Sequence, residues 1–282
     1  MNGGTALKMR PGPFIYQEPE NLAQALRLIE GATIMAGGQS LIPSMRLRQV
    51  VVSKLLSIAS ISELSANIIE KEGYIEIGAL ATLSDLLSNQ IVKESAPWLQ
   101  EAAQQVGDIQ VRNLATVVGN VCWSDPRANM SIALLASNAS ATIINQQLKE
   151  KIVSLRDFFV GFQRNCLQHE LVTKIIIPCR KAVFGSYQEF SRQRNDLALV
   201  NVCAVSCDTD TKLAIGGTKN IPLVLEMDTS RGDNYVKYFL NQIPQHLNSF
   251  ITDQYGSKQY RLELAITIAK RVLTASRSKK HE

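Results

Sequence analysis

The five residues Ala36-Gly37-Gly38-Gln39-Ser40 constrain the fold more than any other stretch of this chain. They follow the short apolar run Thr33-Ile34-Met35 and lead into Leu41-Ile42-Pro43-Ser44-Met45, where Pro43 suits a first helical turn. A strand, a tight turn and a helix start in that order leave backbone N–H groups without partners. Such a turn is an anion-binding context. Paired glycines are equally an ordinary turn, and Ser40 suits helix capping as well as donation to a phosphate. The spacing is neither the Rossmann G-x-G-x-x-G nor a P-loop, since no Gly-Lys-Ser/Thr follows.

A second small-residue segment, Thr116-Val117-Val118-Gly119-Asn120, is closed by Asp125-Pro126. Gly119-Asn120 is a turn dipeptide, and Thr116 can bond a phosphate or its own backbone. Two such segments, far apart in sequence, can clamp one diphosphate between them, as a dinucleotide cofactor needs.

The rest of the chain supplies a mixed frame. Apolar residues Leu22, Ala25, Leu26 and Ile29 repeat with helical spacing before Gly31. Residues 67–78 read as a hairpin around Gly73. Thr82, followed three residues later by Asp85, opens a helix, and Pro97 to Val106 forms another. Helix is expected over 132–136, and strands over 141–144 and 171–177. Beyond Pro178, a hairpin over 186–208, strands at 212–215 and 222–226, and helices at 235–240 and 258–273 follow. A length of 282 residues suggests about two domains. The change of character places the boundary near residue 178, giving 1–178, with subdomains of about 1–60 and 61–178, and 179–282.

Several function classes are excluded. A net charge of +5, with scattered basic residues, is no nucleic-acid footprint. The one basic cluster, Arg277 to His281, reads as a frayed end. No apolar run is long enough for a membrane span, and no secretory signal is visible. Cys122, Cys166, Cys179, Cys203 and Cys207 are irregularly spaced and read as reduced thiols, while His169, His246 and His281 make no zinc signature. No metal site is expected, and a cytoplasmic compartment fits. Nor does any paired-carboxylate or triad-like arrangement point to a catalytic residue.

Taken together, five segments resemble the FAD-binding medium subunits of the molybdenum hydroxylases, of the xanthine dehydrogenase and carbon monoxide dehydrogenase type. They are Ala36 to Pro43 with Leu47-Arg48, Ile75 to Leu86 (IEIGALATLSDL), Gln110 to Pro126, Tyr187 to Ala198 (YQEFSRQRNDLA) and Asp253 to Arg261 (DQYGSKQYR). The resemblance spans nearly the whole chain and implies an α+β fold. A PCMH-type, two-subdomain FAD-binding domain would precede a C-terminal α/β domain built on a three-stranded antiparallel sheet.

The resemblance also implies roles. Met35, Ala36, Gly37, Gly38, Gln39, Ser40 and Leu41 would cradle the FAD pyrophosphate, and Thr116, Val117, Val118, Gly119 and Asn120 would close on it. Asp125 would bond the sugar-alcohol chain of the cofactor, Asn129 would face the flavin ring, and Val172 and Gln188 would flank it. The chain would be an oxidoreductase subunit. It would take electrons from two [2Fe–2S] clusters in a small subunit, while substrate is oxidised at a molybdenum cofactor in a large subunit, in a dimer of heterotrimers. Val118 stands where the family usually has Gly, and Asn129 where it usually has Asp. Those departures leave open a scaffold with weak or lost FAD, and a free-standing FAD oxidase is a third reading. Asn129 keeps hydrogen-bonding capacity and adds a donor, which would raise the flavin's electron affinity.

Overall fold

A computed structural model of the protein describes residues 10–179, 183–207, 210–228, 235–247 and 251–278. Residues 1–9 and the Lys279-Lys280-His281 end of the basic tail lie outside that description.

The chain starts with a small parallel sheet. Strands β1 (Ile15–Gln17), β2 (Thr33–Met35) and β3 (Lys54–Ser57) lie in the order β1-β3-β2. Helix α1 (Leu22–Leu28) joins the first two, and α2 (Leu41–Arg46) follows β2. The Asn21 side chain caps α1 by accepting from the Gln24 N–H at 2.9 Å. Gly31, at φ +67°, turns the chain out of the helix. Leu26, Ile29, Leu56 and Ile61 form the core of this part.

A five-stranded antiparallel sheet follows, built from β4 (Ile68–Lys71) and β5 (Tyr74–Gly78), then from strands that return later. Between them runs a helical stretch: α3 (Leu83–Ser88), α4 (Gln90–Ser95), α5 (Pro97–Gln104), α6 (Ile109–Arg112), α7 (Val117–Cys122) and α8 (Asn129–Ala136). Thr82 and Asp85 form both hydrogen bonds of a capping box at the start of α3. Strands β6 (Ser140–Ile144) and β7 (Glu150–Ser154), helix α9 (Leu155–Phe158), the short ribbon β8 (Phe159–Gly161) with β9 (Arg164–Asn165), and β10 (Leu171–Pro178) complete it. The sheet order is β4-β5-β10-β6-β7. Every residue of α8 is buried, because it runs between this sheet's helices and the next sheet.

The last sheet differs from expectation. It has four antiparallel strands, not three: β11 (Phe184–Phe190), β12 (Val200–Ser206), β13 (Asp210–Gly216) and β14 (Leu223–Asp228), paired in sequence order. The fourth strand forms because Leu223 to Asp228 pairs with β13 along its whole length and buries Leu225. Helices α10 (Tyr235–His246) and α11 (Lys258–Ser278) cover one face. All of β12 is buried, so the sheet is covered on both faces. Val200, Val202 and Ala204 face the helices, whereas Cys203 and Val205 join the core around α5 and α8. Arg261, fully buried, ties this region together. Its Nη1 donates to the carbonyls of Leu199 and Gly217, and its Nη2 makes a bidentate pair with Asp253 at 2.8 Å. No helix among the described residues is long and apolar enough to cross a membrane.

Candidate functional site

The first loop leaves β2 and enters α2 as expected, and its glycines are required. A β-carbon on Gly37 would lie 1.8 Å from the Leu114 carbonyl oxygen, so the loop can pass over that backbone only without a side chain. Gly38 holds φ +69°, a conformation that side-chain-bearing residues avoid. Among the described residues, nothing accepts a hydrogen bond from the N–H groups of Gly37, Gly38, Gln39 or Ser40. The Ser40 hydroxyl does not cap α2, so its capping role is not realised.

The second segment is a helix start rather than a loop. Thr116 is the N-cap of α7, and its Oγ1 accepts from the Gly119 N–H at 3.0 Å. Thr116 is therefore committed to its own helix. Val117 donates its N–H to Ala81 and sinks its side chain into the core, so it does not line the site. Val118 is 4% exposed, packed in the same core while bordering the cleft. Asn120 uses its Oδ1 to accept from the Met130 N–H, which joins α7 to α8.

These segments border one cleft of about 960 Å³, near the upper end of the roughly 300–1,000 Å³ usual for cofactor sites. Met35 to Leu41, Thr116, Val118, Gly119, Asn120, Asp125, Asn129 and Val172 all line it. Gln188 does not. It pairs with Val202 on β12, whose side chain packs with α10 and α11. The period of two along β11 therefore turns Gln188 away, and its neighbour Glu189 takes the side toward α8.

Sequence reasoning missed the residues that hold Asp125. Its buried carboxylate accepts from Arg127 three times: from the N–H and Nε at 2.9 Å to Oδ1, and from Nη2 at 2.8 Å to Oδ2. Gln163 Nε2 makes a long fourth contact at 3.5 Å to Oδ2. A carboxylate has about four acceptor positions, so only the one facing Gln163 is readily yielded to a ligand hydroxyl. Its hydrogen bond raises the Arg127 pKa, keeping the guanidinium charged. The Asp-Pro-Arg run was the available signal, because Arg two residues from a buried acid makes such a fork. Asn195, Asp196 and Leu197 also reach the cleft from the segment after β11. Phe190 meets Tyr260 edge-on and Arg192 lies over Tyr255, so the last two sequence signatures pack against each other.

The chemistry of the wall is that of binding. Burial pushes the Cys122 thiol up to about 12, so it is not a nucleophile. Among the described residues, no group of three or more His, Cys, Asp or Glu could hold a metal ion. The unpartnered N–H groups of the first loop, the glycine crossing and a Ser40 hydroxyl that makes no capping bond fit a diphosphate-containing cofactor.

The family pattern for the FAD-binding domain in molybdopterin dehydrogenase matches residues 8–180. The glyceraldehyde dehydrogenase medium chain of Sulfolobus acidocaldarius is 34% identical over 271 residues, covering 91% of this chain and 95% of the relative. A carbon monoxide dehydrogenase medium chain of Hydrogenophaga pseudoflava is 29% identical, over 95% and 98% of the two chains. A solved structure of carbon monoxide dehydrogenase from that organism, lacking the Mo-pyranopterin moiety, superposes with TM-score 0.87 over 95% of this chain and 99% of that one, at 25% identity. This chain belongs to the FAD-binding medium chains of the molybdenum hydroxylases, a family of oxidoreductase subunits whose cofactor is FAD.

Proposed function

We propose that this chain holds FAD in the cleft and serves as the electron-transfer subunit of a heteromeric molybdenum hydroxylase. The observation that carries the reading is the crossing of Gly37 over Leu114, which joins the unpartnered N–H groups of the first loop to the wall formed by α7. The Gly37 to Ser40 backbone and the Ser40 hydroxyl bind the diphosphate, the first turn of α7 at Val118 and Gly119 approaches it from the other wall, and Asp125 meets the sugar-alcohol chain. Asn129 and Val172 border the ring. FAD supplies the redox chemistry, and the protein binds and orients it.

In this reading residues 1–178 form the FAD-binding domain and 179–282 a C-terminal domain. Electrons arrive from [2Fe–2S] clusters of a small subunit, a molybdenum-cofactor large subunit oxidises the substrate, and the assembly is a dimer of heterotrimers. The similarity to medium chains of multi-subunit dehydrogenases supports it. Five cysteines that form no disulfide favour a reducing, cytoplasmic setting.

The deciding experiment is the visible spectrum of the purified chain, with identification of the cofactor released on denaturation. A yellow protein that releases FAD is expected. A colourless protein that takes up no added FAD would overturn the reading. Co-purification with a large and a small subunit tests the assembly separately.

A further inference from the structure

The Asn129 amide has two unlike ends, and only one is free. Its Nδ2 donates to the Glu189 carboxylate at 2.7 Å and to the Ala102 carbonyl at 3.4 Å. An amide nitrogen carries two N–H donors, so both are spent. The carbonyl accepts only, and so does an ionised carboxylate. Turning the amide over would set its oxygen against both. Oδ1, by contrast, has no donor among the described residues and is not sealed from solvent. Since Asn129 lines the cleft, Oδ1 is the end open to it.

Glu189 does not line the cleft, and it is itself held in place. The Tyr187 hydroxyl donates to the same Oε2 at 2.7 Å. Asn201 Nδ2 donates to that hydroxyl oxygen at 3.2 Å and to the Arg127 carbonyl at 3.0 Å. The Tyr187 N–H donates to Glu101 at 2.7 Å. A line of hydrogen bonds thus runs from β12 through β11 to the first residue of α8.

We propose that Glu189 is a positioning residue that fixes Asn129 so that its carbonyl oxygen, not its amide N–H, faces the group bound in the cleft. The proposal rests on the reading that FAD lies there with Asn129 beside its ring. It reverses the expectation from sequence: the donor that Asn adds relative to Asp is consumed by Glu189, and the ring meets an acceptor. Asn at this position then presents the same kind of atom as the acid it replaces, without the charge.

The test is a double-mutant cycle read by the midpoint potential and visible spectrum of the bound flavin, in the full chain. The variants are Asn129→Ala, Glu189→Leu and the two combined. Removing Glu189 frees the amide to rotate, so Glu189→Leu should change the oxidised-to-reduced ratio at a fixed potential by roughly fivefold, the size of one net hydrogen bond. In the Asn129→Ala background the change should be clearly smaller. Glu189→Gln, which keeps an acceptor oxygen, should give equal shifts in both backgrounds. Equal shifts for Glu189→Leu in both backgrounds would overturn the inference, because Glu189 would then act through its charge alone. If Asn129→Ala leaves potential and spectrum unchanged, the placement of the ring beside Asn129 fails, and the inference with it. Should Glu189→Leu fail to fold, Glu189→Met takes its place in the same cycle.

Discussion

Gly37 and the Leu114 carbonyl are so close that no β-carbon fits between them: it would stand 1.8 Å from the oxygen and 2.6 Å from the carbon. Both are backbone atoms, so neither can turn aside. The two segments that border the cleft are therefore locked to each other by the absence of a side chain at one position.

That lock makes Gly37→Val the most direct probe of the cradle. Overpacking costs typically about 1–3 kcal/mol, and about 1.4 kcal/mol is a factor of ten in affinity. FAD affinity, titrated into deflavinated protein, should fall about tenfold or more. A variant of unchanged affinity would show that this loop is not the cradle. Unfolding curves of the apoprotein separate lost binding from lost fold.

Val118→Gly should behave differently. Its side chain is 4% exposed and belongs to the main core, so removing it loses burial worth about 1.5–3 kcal/mol. Glycine inside α7 costs about 1 kcal/mol more. The melting temperature should drop while FAD affinity falls less than for Gly37→Val. If Val118→Gly left stability unchanged, the side chain would not be packed as described.

The contrast between these two positions shows what the sequence could reveal. The strand, turn and helix start around the first loop are legible because an apolar run, a glycine pair and a proline in a first helical turn follow one another directly, although the glycine pair alone reads equally as an ordinary turn. The second segment, whose Gly119-Asn120 reads as a turn dipeptide, is a helix start that the sequence hides, since a six-residue helix gives too few residues for a periodic pattern, and its cap Thr116 has no acidic partner three residues on. The Thr82 cap is readable for the opposite reason, as it has Asp85 three residues on and precedes a clear apolar repeat. Glu189 was hidden by alternation: the resemblance drew attention to Gln188, and only the strand register shows which of two neighbours faces α8. The fourth strand of the last sheet was visible as an element, but the expected family architecture of three strands took its place in the count.

Arg127 is expected to matter for stability before it matters for FAD. Its guanidinium and backbone supply three of the four donors to a buried carboxylate. Arg127→Met would strand Asp125, and breaking a buried pair costs roughly 3–5 kcal/mol. Because the Arg127 side chain is 24% exposed, water can replace part of the lost contact, and a loss of about 3 kcal/mol, the lower end, is expected. The double variant Arg127→Met with Asp125→Asn should recover part of that loss, because the uncompensated charge is gone. Urea unfolding of the three proteins measures it. A single variant as stable as the parent would rule out the pair as a structural element.

The Asp253–Arg261 pair should give the C-terminal region a dependence on acid. Desolvation alone would push the Asp253 carboxyl up. The Tyr255 N–H, the Arg261 guanidinium and the Gly256 N–H outweigh it and hold the group below its ordinary value. A carboxyl lowered in the folded state stabilises that state above the unfolded-chain value of about 3.9. That stability is lost as the pH falls through the lower folded value, since the folded state must then take up a proton that breaks the pair. Arg261 remains buried and charged below that point, with the Leu199 and Gly217 carbonyls as its remaining partners. In Asp253→Asn the titrating group is absent. The stability difference between parent and variant should therefore be largest near neutral pH and shrink through the acid range, from about pH 5 downward. Urea midpoints of both proteins across that range measure the gap, and a gap independent of pH would show that the pair contributes through packing rather than charge.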